Sequence, residues 1–400
     1  MFEYFTAGIS LTNPLYAAVL LLAPIFLNNN LKFRRYIFCV LNACVITIAA
    51  PSIFHAILLL SWSLTPYFAV LLCTHVLKIR WYKPLLITTM VVVFAYLQHY
   101  NWIFSTLHIS YITVWKVVGI SYILFRQLDF IIQYEYNQDQ NIRISFIDYF
   151  NYQLSFYTLL CGPIVRYQDF VSDFYSVRII HDFDSILNKV SRILSGFIKI
   201  YLISSLLDYL VHASYEHLTT AVLSARVIAW CIVIFGNIWY IYFNFSGFMD
   251  VVIPAASLAG FHLPENFNKP YFARDISDFW NRWHITLSSW IKDYIYTPTY
   301  KYLLTINKPL SSYFTYFLTF LIIGIWHGPT LNYLVYGILL GVVAMLSQFY
   351  TATLRKRLGR RGSIEFRARK CVHILEVLCT LVISSACIIF VGLDIIGRFF

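Results

Sequence analysis

The sequence predicts an all-α polytopic membrane protein, and three observations carry that expectation. Of its 400 residues 59% are hydrophobic and 12% charged, where a soluble globular chain carries about a quarter charged residues. Mean hydropathy is +0.66. Apolar runs near the roughly 20-residue length of a spanning helix recur along the chain, with the charges gathered between them. Together these predict one integral-membrane domain over residues 1–400, with ten to twelve membrane segments, some of them re-entrant or interfacial.

The runs begin near Leu11, Tyr36, Leu58, Leu85, Ile103, Tyr149, Leu194, Val222, Ile238, Tyr313, Leu331 and Val372. No repeat and no Gly/Ser/Pro-rich linker divides them. The start, MFEYFTAGIS, holds Glu3 and no Lys or Arg. It is therefore not the basic n-region of a cleaved signal peptide, and the first run is expected to stay.

Charge then sets orientation. Eight basic residues lie between Arg355 and Lys370, and the positive-inside rule puts that loop in the cytoplasm. Lys32, Arg34 and Arg35 mark a second cytoplasmic loop. Both termini are then expected outside a bacterial cytoplasmic (inner) membrane. The net charge of +11 reports this topology rather than nucleic-acid binding, because no groove-reading motif accompanies it. The eight cysteines form no CxxC pair and read as buried, inert thiols. The histidines show no metal-ligand spacing, so no metal is assigned. The 31 Tyr and 10 Trp fit interfacial belts, with membrane lipids as the first partner.

Against this background, IIGIWHGPTLNYLVYG puts an ionisable residue, His327, beside the Gly328–Pro329 break. The apolar stretch Tyr313–Trp326 rises only about 21 Å as a helix, less than the roughly 30 Å of hydrocarbon. His327 is then expected within the membrane profile. There an irregular backbone must be buried in protein or line a wet cavity, and an ionisable residue is a functional candidate by default. A structural histidine bonded to a neighbouring carbonyl is the competing reading.

ARDISDFWNRWHITLSSWIKDYIY is the second polar segment. Ile276, Phe279, Trp280, Trp283, Leu287, Trp290, Ile291 and Tyr294 follow one another at offsets of mostly three and four, which predicts one amphipathic helix. Asp278, Asn281, Arg282, Ser289, Lys292 and Asp293 take the other side, and His284 falls at the edge. Asp275 and Ser277 are the candidate N-caps. Such a helix lies in the interface or dips into a pore. Two further sites combine polar groups with apolar surroundings: Arg166 after Gly162–Pro163, and Asn244, Ser246 and Asp250 in YFNFSGFMD, which either line a cavity or make interhelical hydrogen bonds.

These residues resemble the membrane-bound O-acyltransferase (MBOAT) family. Three blocks carry the likeness: GPIVRYQDF, LPENFNKPYFARDISDFWNRWHITLSSWIKDYIY and GIWHGPTLNYLVYGILLG. They cover roughly Gly119 to Gly341, and the flanks match only in hydropathy. The resemblance implies a ring of tilted helices around a central tunnel. It implies His327 as the catalytic histidine and His284 as a second characteristic one, with Trp326, Asn281, Arg282, Asp293, Arg166, Asn244 and Ser246 along the tunnel. It implies a cytoplasmic thioester donor, acetyl-CoA or an acylated phosphopantetheine carrier protein, with no permanently bound cofactor. The acceptor would be an extracytoplasmic cell-envelope polysaccharide, served directly or through an esterase-like or acyltransferase partner. GPIVRY and HITLSSW resemble the glycan O-acetylation branch. The short chain resembles the branch that transfers D-alanyl groups toward teichoic acid-type polymers. A transporter or scaffold without covalent chemistry is the reading from another class.

Overall fold

The computed structural model describes residues 11, 13–29, 31–50, 52–100, 119–176, 182–220, 222–306 and 308–396. They form helices joined by short loops, with one isolated antiparallel bridge, Phe267 to Trp283. Among the described residues, six helices are long and apolar enough to cross a membrane: Ile53–Val76, Phe183–Tyr215, Leu223–Leu258, Leu310–His327, Leu331–Ala368 and Lys370–Phe390. Two shorter apolar helices, Pro14–Asn28 and Tyr82–Leu97, accompany them. Bulky apolar side chains such as Ile53, Phe54, Leu202 and Leu346 stand exposed on these helices. That surface suits a hydrocarbon solvent.

The expected segments differ from the observed ones in several places. The runs near Val222 and Ile238 fuse into one 36-residue helix. The run near Tyr149 forms only an eight-residue helix followed by buried turns. The run near Ile103 and the start Met1–Ser10 lie outside the described residues. The cysteines also divide: Cys73, Cys161 and Cys387 are buried, whereas Cys44, Cys231, Cys371 and Cys379 are exposed.

The chain falls into two compact units. The first comprises residues 1–197 and 248–264. Its helices are α1 (Pro14–Asn29), α2 (Arg34–Ala49), α3 (Ile53–Leu71), α4 (Tyr82–Leu97), α5 (Ile120–Asp139), α6 (Phe146–Gln153), α7 (Tyr167–Tyr175) and α8 (Phe183–Ile198). Its core is aromatic. Phe38 packs against Phe156, Phe174 and Phe261 at ring distances of 4.8–5.2 Å. The buried turns after α6 expose no backbone to solvent, so their carbonyls need donors. Arg126, 1% exposed, supplies them, donating to the Gln153 carbonyl at 2.6 Å and to Thr158 Oγ1 at 2.7 Å.

The second unit comprises residues 198–247 and 265–400. It holds α9 (Ser205–Thr220), the start of α10 (Leu223–Leu258), α11 (Ile276–Arg282), α12 (Ile285–Ile291), α13 (Thr297–Ile306), α14 (Lys308–His327), α15 (Leu331–Ala368) and α16 (Lys370–Ile396). A π-helical stretch, Lys292–Tyr296, continues α12. Helices α14 and α15 form a close hairpin. A Cβ on Gly324 would stand 2.5 Å from the Gly337 Cα, so two glycines facing one another let the backbones touch.

Candidate active site

The geometry around both histidines belongs to the second unit. The segment expected as one amphipathic helix is two. α11 begins at Asp275, whose carboxylate caps it by accepting the Asp278 N–H at 2.9 Å. The same carboxylate meets Arg367 at 2.9 Å, and Arg367 and Arg274 share Glu376. α11 ends at Arg282, and α12 starts after His284, which takes left-handed backbone at φ 45, ψ 52. Side-chain periodicity survives a one-residue break of this kind, which is why the apolar stripe conceals it. For a non-glycine residue that conformation costs about 1–3 kcal/mol and persists only where surrounding contacts enforce it. Trp280, Trp283 and Trp290 are all buried, so this stripe packs inward rather than forming an exposed aromatic belt.

His284 is 3% exposed. Its ring stands edge-on to Phe245 of α10 at 4.9 Å, 79°. Both ring nitrogens are enclosed and make no hydrogen bond within the protein. Burial drives the imidazole down to about 3, so it is neutral at ordinary pH.

His327 ends α14. The helix starts at Lys308, five residues before the expected start at Tyr313, and its 20 residues rise about 30 Å. The apolar part of the helix, the 18 residues Leu310–His327, rises about 27 Å, longer than the expected rise of about 21 Å and a little under the hydrocarbon thickness. Trp326 lies at 4.8 Å, Tyr336 meets the imidazole edge-on at 5.6 Å, and Tyr333 stacks over it at 6.2 Å, 17°. Gly328 is needed here, since a Cβ would strike the Tyr333 ring at 2.2 Å. Nδ1 of His327 is enclosed without a hydrogen-bond partner, while the residue as a whole is only part-buried. The two histidines, 43 positions apart in sequence (327 − 284), lie within electrostatic reach of one another.

A cavity of about 220 Å³ lies between α11–α12 and α14. Ser277, Trp280, Asn281, Ser288 and Lys292 line one side; Tyr316, Thr319, Phe320 and Ile323 line the other. Positions 316, 320, 323 and 327 are spaced by four, three and four residues, so His327 sits one turn beyond the cavity on the same face of α14. Lys292 is the one cation among the described lining residues.

The remaining tunnel candidates are distributed unevenly. Asn281 lines the cavity; Arg282 and Asp293 do not. Arg282 pairs with Asp278 at 2.7 Å along α11. Asn244 donates to Ser204 at 3.2 Å, with its carbonyl oxygen and the Ser246 hydroxyl enclosed without partners. These two flank Phe245, the residue that meets His284. Trp326 is buried beside His327. Arg166 belongs to the first unit, where it meets Asp129 at 3.4 Å. Residues overlooked in the sequence are Phe245, Tyr333 and Tyr336. Nothing in local spacing distinguishes them, because each reaches its histidine through tertiary packing or a loop.

Residues 57–375 match the model of MBOAT, the membrane-bound O-acyltransferase family. The chain belongs to that family. It is a multi-pass membrane protein. The probable alginate O-acetylase AlgI of Pseudomonas fluorescens is 32% identical over 225 residues, 55% of this chain and 42% of that protein. The teichoic acid D-alanyltransferase of Bacillus subtilis is 28% identical over 240 residues, 58% of this chain and 59% of that protein. The matches thus span about half of these relatives' length.

Proposed function

We propose that this MBOAT protein is an O-acyltransferase, and that it moves an acyl group, most simply acetyl, from a cytoplasmic thioester to hydroxyls of an extracytoplasmic envelope polysaccharide. The reading rests on His327, one turn beyond the cavity on the same face of α14, with His284 within its electrostatic reach. His327 accepts the proton of the attacking hydroxyl. The oxygen adds to the thioester carbonyl, the tetrahedral intermediate collapses, and the departing thiolate takes the proton back, leaving an ester and a free thiol. Positioned proton transfer of this kind contributes about 10²–10⁴ in rate. His284, neutral and dry, orients the donor carbonyl.

The cavity beside α14 is the donor's route in this reading. Its walls admit a narrow chain with amide and hydroxyl groups, and Lys292 attracts a phosphate on that chain. Acetyl-CoA and an acylated phosphopantetheine carrier share this chemistry. Similarity to the Bacillus subtilis D-alanyltransferase, of which a larger share is matched, supports D-alanyl transfer as the second reading.

The test is purified protein in lipid nanodiscs with radiolabelled acetyl-CoA, and in parallel with a D-alanyl carrier thioester. Thioester consumption that disappears in His327→Ala supports acyl transfer, and the donor consumed separates the two readings. A His327→Ala protein that sustains polymer acylation in cells would make the chain a scaffold instead.

A further inference from the structure

Among the described residues, five non-glycine residues take positive φ: Lys78, His99, Asn141, Lys269 and His284. Of these only His284 is buried. Something must enforce that backbone, and the enforcing groups are adjacent. The Asn266 main-chain oxygen accepts the Ile285 N–H at 3.0 Å. Its side-chain oxygen accepts both the Thr286 N–H at 3.2 Å and the Thr286 hydroxyl at 2.6 Å. On the other side of the break, Phe267 bridges Trp283 and the Asn268 N–H donates to the Arg282 carbonyl at 2.9 Å. Three consecutive loop residues thus hold the chain immediately before and after His284. Asn266, the residue that holds the following side, is wholly inaccessible.

The Asn266 amide also starts α12. The first turn of a helix has N–H groups without intrahelical partners, and the Asn266 side chain, remote in sequence, satisfies the one at Thr286. The clamp fixes where α12 begins, and so the direction in which the His284 ring leaves the backbone. That direction brings the ring onto Phe245 and within electrostatic reach of His327.

We propose that Asn266 is a positioning residue for acyl transfer: it holds His284 in left-handed backbone and thereby aims the second imidazole at the reaction centre. The catalytic consequence rests on the acyltransferase reading; the positioning itself does not. Losing the clamp lets residue 284 relax toward ordinary helical or extended backbone, which swings its side chain out of the enclosure.

Two measurements on the full chain in nanodiscs test this. The first is diethyl pyrocarbonate labelling mapped by peptide mass spectrometry. Asn266→Ala should raise the labelling rate of His284 severalfold, with exposed His262 and His373 unchanged and buried Cys161 still protected from a thiol reagent. Asn266→Asp, which keeps the acceptor oxygen, should restore protection. The second is turnover of radiolabelled acetyl-CoA, where Asn266→Ala should lower kcat by about 10²-fold, the scale of a misplaced catalytic group, with KM little changed. If Asn266→Ala does not fold, Thr286→Val removes a single bond of the clamp and should show the same changes at smaller amplitude. A folded Asn266→Ala or Thr286→Val protein with His284 as protected as in the parent would overturn the proposal. Absence of His327-dependent turnover in the parent would instead remove the acyltransferase reading, and the labelling would still decide the role of Asn266.

Discussion

Gly324→Ala tests whether the close approach of α14 and α15 is what sets His327. A Cβ at this position would lie 2.5 Å from the Gly337 Cα, 2.6 Å from the Tyr333 oxygen and 2.7 Å from the Gly337 nitrogen. All three are backbone atoms, so no side chain can turn aside to make room. Carbon atoms in contact rest at about 3.5–4.0 Å, and the helices must separate by roughly 1 Å. Overpacking of this kind costs about 1–3 kcal/mol, against which alanine's helix propensity returns about 1 kcal/mol. The expected net loss is therefore small, about 0–2 kcal/mol. The loss of alignment is larger. Gly324 lies three residues before His327, and Tyr333, whose carbonyl meets the new methyl, also stacks over the imidazole. A 1 Å misplacement costs about 10²-fold in rate. Turnover of whichever thioester the parent consumes, with the apparent unfolding temperature in detergent, should show a large fall in the first and a modest one in the second. Gly362→Ala is the control, since the one atom near its new methyl is Leu358 Cβ of the same helix, at 3.2 Å. Parental turnover in a folded Gly324→Ala protein would show that the glycine contact does not position the site.

Two further expectations concern the buried polar groups. His284 binds its proton far less readily when folded, at about 3 against an ordinary 6.5. The unfolded chain therefore holds more protons between these values, and stability falls as pH drops through that window. From pH 6.5 to 5 the loss is about 2 kcal/mol, and His284→Asn, which accepts left-handed backbone, should flatten that part of a denaturation profile; an unchanged slope would contradict the dry environment assigned to the ring. In the first unit, Arg126→Leu leaves the Gln153 carbonyl and Thr158 hydroxyl without their donor, a loss of about 3–5 kcal/mol that chemical denaturation should register as failure to fold or a large drop in midpoint.

Composition and the spacing of apolar runs were enough to establish a helical membrane protein, because lipid forces every backbone group to be satisfied within its own helix and so leaves a plain mark in the sequence. His327 stands out as a candidate for the same reason: an ionisable group beside a Gly-Pro break is out of place in an apolar run. The blocks around His284 and His327 also pointed to the family before any coordinates. What they left undetermined were quantities that depend on residues far apart in the chain. The break at His284 was hidden because the stripe's three-and-four spacing continues across it, and the bonds that enforce it come from a loop some 20 positions upstream. Helix α14 extends beyond the apolar run because its first turn, at Lys308, carries no apolar signal. The electrostatic reach between the two imidazoles, the cavity beside α14 and the glycine contact that seats α14 on α15 arise from packing between helices, to which local patterning along one segment is blind.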